Sequence, residues 1–158
     1  MKELVLQTIL NDVDKVDHMI YMFQVLFDDI ASRYTKNVGH TVSSYFTTGH
    51  CGAFARLLIN IFEGNVEIYV GNGHILTKVG PSYCDITGCH KELPTTANFE
   101  KYSLDEFELI EDVYRTNDEI ELKIMEDYYT IGKKMLEEYK QRIENSKSPQ
   151  ELHFLPPS

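Results

Sequence analysis

The feature that most constrains the fold is a change in the spacing of apolar residues along the chain. Residues 3–35 carry them at alternating intervals of three and four, which predicts one long amphipathic helix. Its predicted core-facing side chains are Leu6, Ile9, Val13, Val16, Ile20, Phe23, Phe27 and Ile30. Residues 66–87 instead alternate apolar with polar side chains, which is typical of strands, and helical spacing returns over residues 103–145. This order predicts an α+β domain, with helices flanking a small antiparallel sheet.

Two turn signals divide the strand region. A Gly-Asn-Gly segment at 71–73 separates a strand over 66–70 from a second over 74–79. A Gly-Pro pair at 80–81 separates the second from a third over 83–87. The interpretation is a three-stranded antiparallel meander.

The chain just before this meander predicts a loop and a short helix. Residues 37–49 are rich in Gly, Ser and Thr, which is typical of a loop. Residues 51–62, CGAFARLLINIF, are mostly apolar and predict a helix buried on most sides. Gly64 then favours the end of that helix, because glycine adopts a left-handed backbone without steric cost.

Two further helices are predicted after the meander. The chain is expected to be irregular from 88 to 102, after which Ser103 and Glu106 form a capping box at the start of a helix that ends near Tyr114. A last helix is expected over about 118–145. The remaining residues, 146–158, contain three prolines and predict an extended tail behind a single domain of residues 1–145.

Composition narrows the functional classes. Fifteen basic against 25 acidic residues give a net charge of −10 without a basic stripe, which argues against binding to nucleic acid or to an anionic membrane. A signal-peptide pattern and a long apolar run are both absent, so we expect a cytoplasmic protein. Three cysteines suit reduced thiols better than a disulfide framework.

One of these thiols has the surroundings of a nucleophile. Cys51 opens the apolar helix between Gly49 and Gly52. Free N–H groups and the positive end of the helix dipole stabilise a thiolate at such a position, and the flanking glycines admit another chain. Cys51 is therefore the candidate nucleophile, although a free cysteine is more often a buried apolar residue.

The alternation of side chains between the two faces of a strand predicts a base and an acid that orients it. If the Gly-Pro loop has two or four residues, positions whose numbers sum to 161 face each other, so that Leu76 opposes Asp85. His74 and Asp85 then share one face as diagonal neighbours about 7–8 Å apart, within reach of a hydrogen bond between their side chains. A three-residue loop would reverse the parity and remove this contact.

These residues resemble a known superfamily. GHCGAFARLL, followed by strands reading GHILTKV and YCDITG, is similar to the core of papain-like cysteine enzymes in the transglutaminase-like order. In that order the cysteine lies on a helix and the His and Asp lie on successive strands. The resemblance covers about residues 45–89 and implies Cys51 as nucleophile, His74 as general base and Asp85 as orienting acid. A tryptophan after Cys51 and an Arg-Gly-Gly stretch before it are absent, which weakens the case for transglutaminase or arylamine N-acetyltransferase activity itself. The type of enzyme that the resemblance implies is a cysteine protease, a deamidase or a transglutaminase-like enzyme.

The chemistry that follows is thiol-dependent cleavage or transfer at an amide or related acyl bond, without a cofactor. The substrate is expected to be a protein, a peptide or a small amide. The Cys51 backbone N–H would hold the oxyanion, with a second donor from residues 45–48, where Tyr45 is also a candidate cleft residue. Arg56 is expected to be a structural arginine. Hydrolysis and acyl transfer both remain open.

Two alternatives use the same region differently. A zinc site would draw on His50, Cys51, Cys84, Cys89 and His90, but no close CxxC pair occurs and strand alternation turns Cys84 away from Asp85. The other alternative is a non-catalytic binding or inhibitory protein on the same scaffold, such as a phage accessory protein acting on host components. The three ordered residue types favour the enzyme.

Overall fold

The structure is a computed structural model that describes residues 2–35, 51–95, 98–114 and 119–146. Its helices are α1 (Lys2–Leu10), α2 (Val13–Ser32), α3 (Cys51–Ile61), α4 (Leu104–Tyr114) and α5 (Glu119–Ser146). Its strands are β1 (Glu67–Gly71), β2 (His74–Val79), β3 (Ser82–Asp85), β4 (Gly88–His90) and β5 (Glu100–Tyr102). The strands form one antiparallel sheet in the order β4-β3-β2-β1-β5, so the described chain has the expected α+β class.

The predicted long N-terminal helix is wrong in one respect, because it is two helices. Asp12 has extended backbone angles (φ −92°, ψ 92°) between α1 and α2, and its carboxylate accepts a hydrogen bond from the Lys15 backbone N–H. The apolar spacing continues across this break, so the periodicity does not reveal it. Val13, predicted to face the core, is 38% exposed, whereas the other predicted core positions of these helices are buried.

The sheet has two more strands than the sequence predicts. Residues 88–102, expected to be irregular, contain β4 and β5. Each has only three residues, and β5 is Glu-Lys-Tyr with no apolar alternation. Their pairing with β3 and β1 creates these strands, and that pairing depends on tertiary contacts rather than on a local pattern.

Both turns of the central meander contain two residues. Asn72 and Gly73 join β1 to β2 with positive φ angles of 48° and 74°, as a type I′ turn requires. Gly80 and Pro81 join β2 to β3, where Lys78 pairs with Tyr83 and the paired numbers sum to 161. The register expected from a two-residue loop is therefore confirmed.

The helices pack on the sheet and on one another. Helix α3 lies between β2 and α5, and α2 packs against α5 and β4. Tyr128 of α5 is fully buried and donates a 2.7 Å hydrogen bond to the Phe23 carbonyl. This contact ties the C-terminal helix to α2.

Helix α2 also contacts the backbone at the β4 edge of the sheet. The Asp17 carboxylate accepts a 3.0 Å hydrogen bond from the Cys89 N–H, and the Gln24 amide donates to the Ile86 carbonyl. A Cβ at Gly88 would lie 2.9 Å from an Asp17 carboxylate oxygen. The absence of a side chain at residue 88 thus lets α2 approach this edge.

The predicted starts and ends of the remaining helices agree with the structure to within a residue or two. The Ser103 hydroxyl accepts from the Glu106 N–H at 3.1 Å, and the Glu106 carboxylate accepts from the Ser103 N–H at 2.9 Å, which confirms the capping box. The predicted loop at 37–49 and the tail after Ser146 lie outside the described residues. No helix in the described ranges combines the length and apolar character needed to cross a membrane.

Replacing Gly80 with alanine should test how the β2–β3 turn is held. Gly80 has a φ of 57°, and a Cβ there would overlap the backbone carbonyl of Leu10 at the end of α1. We expect Gly80→Ala to lower the free energy of unfolding by about 3 kcal/mol or more, measured by urea denaturation. Gly73→Ala is the matched control, because Gly73 has a φ of 74° but open space around a Cβ, and it should cost only about 1 kcal/mol. Equal losses would contradict the proposed contact with α1.

Candidate active site

The structure places Cys51 at the first residue of α3, against the start of β2. Its side chain is partly buried, and the sulfur lies 3.8 Å from the Gly73 carbonyl oxygen in the β1–β2 turn. A Cβ at Gly52 would make an ordinary 3.8 Å contact with Ile75. The helix end therefore sits beside the turn that leads directly into His74.

His74 and Asp85 form a hydrogen-bonded pair. The His74 Nε2 atom lies 2.9 Å from an Asp85 carboxylate oxygen, Oδ2. His74 begins β2 and Asp85 ends β3, so the two-residue turn between the strands puts both side chains on one face of the sheet. The contact that the parity argument predicts is present.

Asp85 is held by more than the histidine. Its Oδ1 atom accepts hydrogen bonds from the Thr87 backbone N–H, at 2.9 Å, and from the Thr87 hydroxyl. The ring of His90 approaches the same oxygen, with Nε2 at 3.4 Å. Both oxygens of the carboxylate are thus occupied, and its orientation is fixed from two sides.

Thr87 and His90 are residues that the sequence reasoning missed. His90 falls in the segment expected to be irregular, but it lies in β4, where it pairs with Tyr83 and therefore shares a sheet face with Asp85. The signal available was the Asp-x-Thr-Gly segment, because an Asp side chain commonly accepts from the backbone N–H two residues later in a turn. Recognition of that turn would have predicted the β3–β4 hairpin.

The hydrogen bonds determine the charge state of the pair. Burial raises the pKa of Asp85, but hydrogen bonds from His74 and Thr87 outweigh burial and bring this pKa to about 2. The hydrogen bond to Asp85, followed by one with the Cys51 side chain, raises the pKa of His74 to about 9 against the opposing effect of burial. At neutral pH the geometry therefore favours an imidazolium beside a carboxylate.

The hydrogen bond to Asp85 also assigns roles to the two ring nitrogens of His74. Since Nε2 is directed at the carboxylate, Nδ1 is the nitrogen left for the Cys51 sulfur. A protonated ring can donate to both neighbours at once. The three predicted site residues thus form one chain of contacts: thiol, imidazole and carboxylate.

An apolar cavity of about 760 Å³ opens beside this chain of contacts. Cys51 and Gly52 are among its lining residues, and the walls come from α3, β1, β2, α4 and α5. Arg56 also lines it, as an ion-paired residue: its guanidinium is 3.0 Å from Glu108 and 5.4 Å from the ring centre of Phe107. Arg56 is thus held by structural contacts, as expected.

The residues considered for zinc do not form a metal site in the part of the chain that the structure describes. No group of three or more His, Cys, Asp or Glu side chains there is arranged to hold an ion. Cys84 is buried, and its sulfur lies 3.1 Å from that of Cys89. His50, Tyr45 and the proposed oxyanion donor in residues 45–48 lie outside the described residues.

The pH dependence of stability should report the His74–Asp85 pair. The pKa of His74 rises from 6.5 to about 9 on folding, so its contribution to stability is complete below about pH 6.5 and is lost as the pH rises through 9. The His74 side chain is 28% exposed, so solvent screens part of the effect. We expect wild type to exceed Asp85→Asn in unfolding free energy by about 1–2 kcal/mol more at pH 6 than at pH 10.

Urea denaturation at several pH values measures this difference. Asp28→Asn, a change at an exposed carboxylate of α2, is the matched control and should leave the pH profile of stability unaltered. A difference between wild type and Asp85→Asn that stays constant with pH would contradict a charged pair.

Comparison with known proteins gives one match. The family described as Phage YunG-like protein matches residues 26–141, which include α3, the whole sheet and the Cys51, His74 and Asp85 positions. Neither a curated protein nor a solved structure matches the chain. Because the match spans well over half of the 158 residues, the chain belongs to the Phage YunG-like protein family.

Proposed function

We propose that this protein is a thiol-dependent hydrolase or acyltransferase that acts on an amide or related acyl bond. Cys51 is the nucleophile, His74 the general base and Asp85 the orienting acid. The observation that carries the proposal is the 2.9 Å contact between His74 and Asp85, made by a histidine whose other neighbour is the thiol at the start of α3. A nucleophile, a base and a group that orients the base are the parts this chemistry requires.

The scaffold that best accounts for this arrangement is papain-like, in the transglutaminase-like order. The cysteine opens helix α3, the histidine begins β2 and the aspartate ends β3. Helix α3 packs against β2, which sets the thiol beside the strand that carries the base. These placements support the fold assignment as part of the proposal.

In the first half of the reaction, His74 Nδ1 holds the proton that Cys51 has given up, and the Cys51 thiolate attacks the acyl carbon. The carbonyl π bond breaks and gives a tetrahedral oxyanion. Collapse of this intermediate expels the amine, which takes the proton from His74, and leaves a thioester on Cys51. Water or another nucleophile then attacks the thioester and gives its proton to His74, and collapse of the second tetrahedral intermediate releases the Cys51 thiolate.

Asp85 acts on the base rather than on the substrate. Its Oδ2 fixes the Nε2–H tautomer of His74 and stabilises the imidazolium that forms when the thiol loses its proton. Thr87 in turn anchors Oδ1 of the same carboxylate. Thr87 is therefore a positioning residue, because it holds the acid that orients the base.

The first turn of α3 supplies one oxyanion donor. The backbone N–H groups at a helix start have no partner within the helix, and they carry the positive end of its dipole. Cys51 is the first residue of α3, so its N–H belongs to this set. A substrate oxygen placed there would gain a hydrogen bond as negative charge develops.

Alkylation by iodoacetamide at pH 6, followed by peptide mass mapping, tests the proposal. We expect Cys51 to react faster than Cys84 and Cys89, which serve as internal references in the same chain. Because an imidazolium sustains the thiolate at this pH, His74→Ala should slow labelling of Cys51 by about tenfold or more. Asp85→Asn should act in the same direction, since it removes the partner that raises the pKa of His74.

A second histidine variant tests whether the slower labelling of Cys51 is specific to the loss of His74. His18 lies on the exposed face of α2, so Cys51 in His18→Ala should be labelled at the wild-type rate. If Cys51 in the folded wild type forms no adduct at pH 6, although all three cysteines are labelled after denaturation, the enzyme is excluded. The protein is then a non-catalytic binding protein.

A further inference from the structure

We propose that the substrate carries a bulky apolar group without a carboxylate next to its reacting carbonyl, and that the cavity beside Cys51 receives this group. The inference rests on the proposed function and adds the substrate class to it. The cavity volume of about 760 Å³ lies within the range of about 300–1,000 Å³ that is typical of small-molecule sites. Cys51 lines the cavity, so a group bound there lies next to the attacking sulfur.

The cavity walls are mainly apolar side chains from four directions. Leu57 comes from α3, Ile75 from β2, Phe107 from α4, and Leu122 and Met125 from α5. An apolar group that enters this space leaves water and gains roughly 25 cal/mol for each Å² of surface buried. A group as large as an aromatic or branched aliphatic side chain can exploit such walls.

The charged residues of the lining disfavour an anionic group. Glu121 and Glu126 contribute two carboxylates, and the guanidinium of Arg56 is already paired with Glu108. A negatively charged group would lose its hydration and meet like charge. The cavity therefore selects against carboxylate-bearing substrates as well as for apolar ones.

Two chloroacetamides with the same reactive end test this selectivity. N-(2-phenylethyl)chloroacetamide carries an apolar group, and N-(2-carboxyethyl)chloroacetamide carries an anionic one. In each probe, the Cys51 sulfur forms a bond to the carbon that carries chlorine, and chloride leaves with the electrons of the C–Cl bond. After correction by the rates with free cysteine, we expect the phenylethyl probe to react with Cys51 at least about tenfold faster.

Two exposed leucines provide a matched pair of variants. Leu122 lines the cavity and is 55% exposed, whereas Leu109 is 70% exposed and lies on α4 outside the cavity lining. Leu122→Asn should lower the rate ratio of the two probes, because it removes apolar wall without adding charge, and Leu109→Asn should leave the ratio at the wild-type value. The small probe iodoacetamide, used alongside, reports the reactivity of Cys51 itself.

The outcomes separate this inference from the proposed function. A probe ratio near one with prompt iodoacetamide labelling of Cys51 overturns the substrate class and leaves the thiol enzyme intact. Equal effects of Leu122→Asn and Leu109→Asn also overturn it, because the selectivity would then not arise in the cavity. Failure of Cys51 to react with iodoacetamide overturns the proposed function instead.

A separate pair of residues carries a second inference: we propose that Cys84 and Cys89 form a cross-strand disulfide when the protein meets a peroxide. They face each other in the β3–β4 register, with their sulfurs 3.1 Å apart. A disulfide bond is about 2.05 Å long, so the sulfurs need to approach by about 1 Å. This inference is independent of the triad.

The strand geometry suits such a bond. Asp85 and Gly88 flank the two-residue turn, and bonded and non-bonded pairs alternate along an antiparallel ladder. The next pair, Cys84 with Cys89, is then a non-hydrogen-bonded one, where the Cα atoms approach to about 4.5 Å. Consistent with this, the Cys89 N–H points away from β3 and donates to Asp17.

The two cysteines have different parts in the oxidation. Cys89 is partly exposed, whereas Cys84 is buried, and its hydrogen bond with Cys89 together with burial raises the pKa of the Cys84 thiol. The Cys89 thiolate attacks hydrogen peroxide to give a sulfenic acid and hydroxide. The Cys84 sulfur then attacks the sulfenic sulfur of Cys89, the S–O bond breaks, and the departing hydroxyl takes the Cys84 thiol proton and leaves as water.

Peroxide treatment of the folded Cys51→Ser variant tests this step without interference from the site thiol. After denaturation and iodoacetamide treatment, we expect both remaining cysteines to be unlabelled and the peptide that contains both to be lighter than its reduced form by two hydrogen atoms. In Cys51→Ser/Cys89→Ser, Cys84 should stay free and become labelled. Labelling of both cysteines after peroxide, or over-oxidation of Cys89 beside a labelled Cys84, overturns the inference.

Discussion

The two-residue turn at Gly80 and Pro81 is the constraint on which the site depends. Side chains alternate between the faces of a strand, so one additional residue in this turn would move Asp85 to the face opposite His74. The turn is held by close packing of Gly80 against the Leu10 carbonyl at the end of α1. A contact at the far end of the hairpin therefore sets which side chains meet at the thiol.

Much of this architecture could be predicted because it is local. The spacing of apolar residues gives the faces of α2, α3 and α5, and Ser103 with Glu106 gives the start of α4. The break at Asp12 could not be seen, since the apolar spacing runs through it and only the capped backbone reveals two helices. Strands β4 and β5 could not be predicted, because strands of three residues form only when they pair with a neighbouring strand, here β3 and β1.

Part of the candidate site could likewise be predicted from the sequence, and part of it could not. The meeting of His74 with Asp85 follows from a turn length and the two-residue period of a strand, both of which the sequence contains. The support of Asp85 by Thr87 and His90 required knowledge of a second hairpin. The cavity beside Cys51 is built by three helices and two strands, and no periodicity in one segment can predict the space that several segments enclose together.

The contacts of α2 with β4 have a consequence for the outer limit of the sheet. A terminal strand normally offers unpaired backbone groups to which a further strand from another molecule can add. Here the Asp17 carboxylate accepts the Cys89 N–H and the Gln24 amide reaches the Ile86 carbonyl, so a helix closes the boundary nearest to Asp85. The outer edge of β4 is thereby shielded from intermolecular pairing, which would otherwise compete with the β3–β4 hairpin that holds Asp85 near His74.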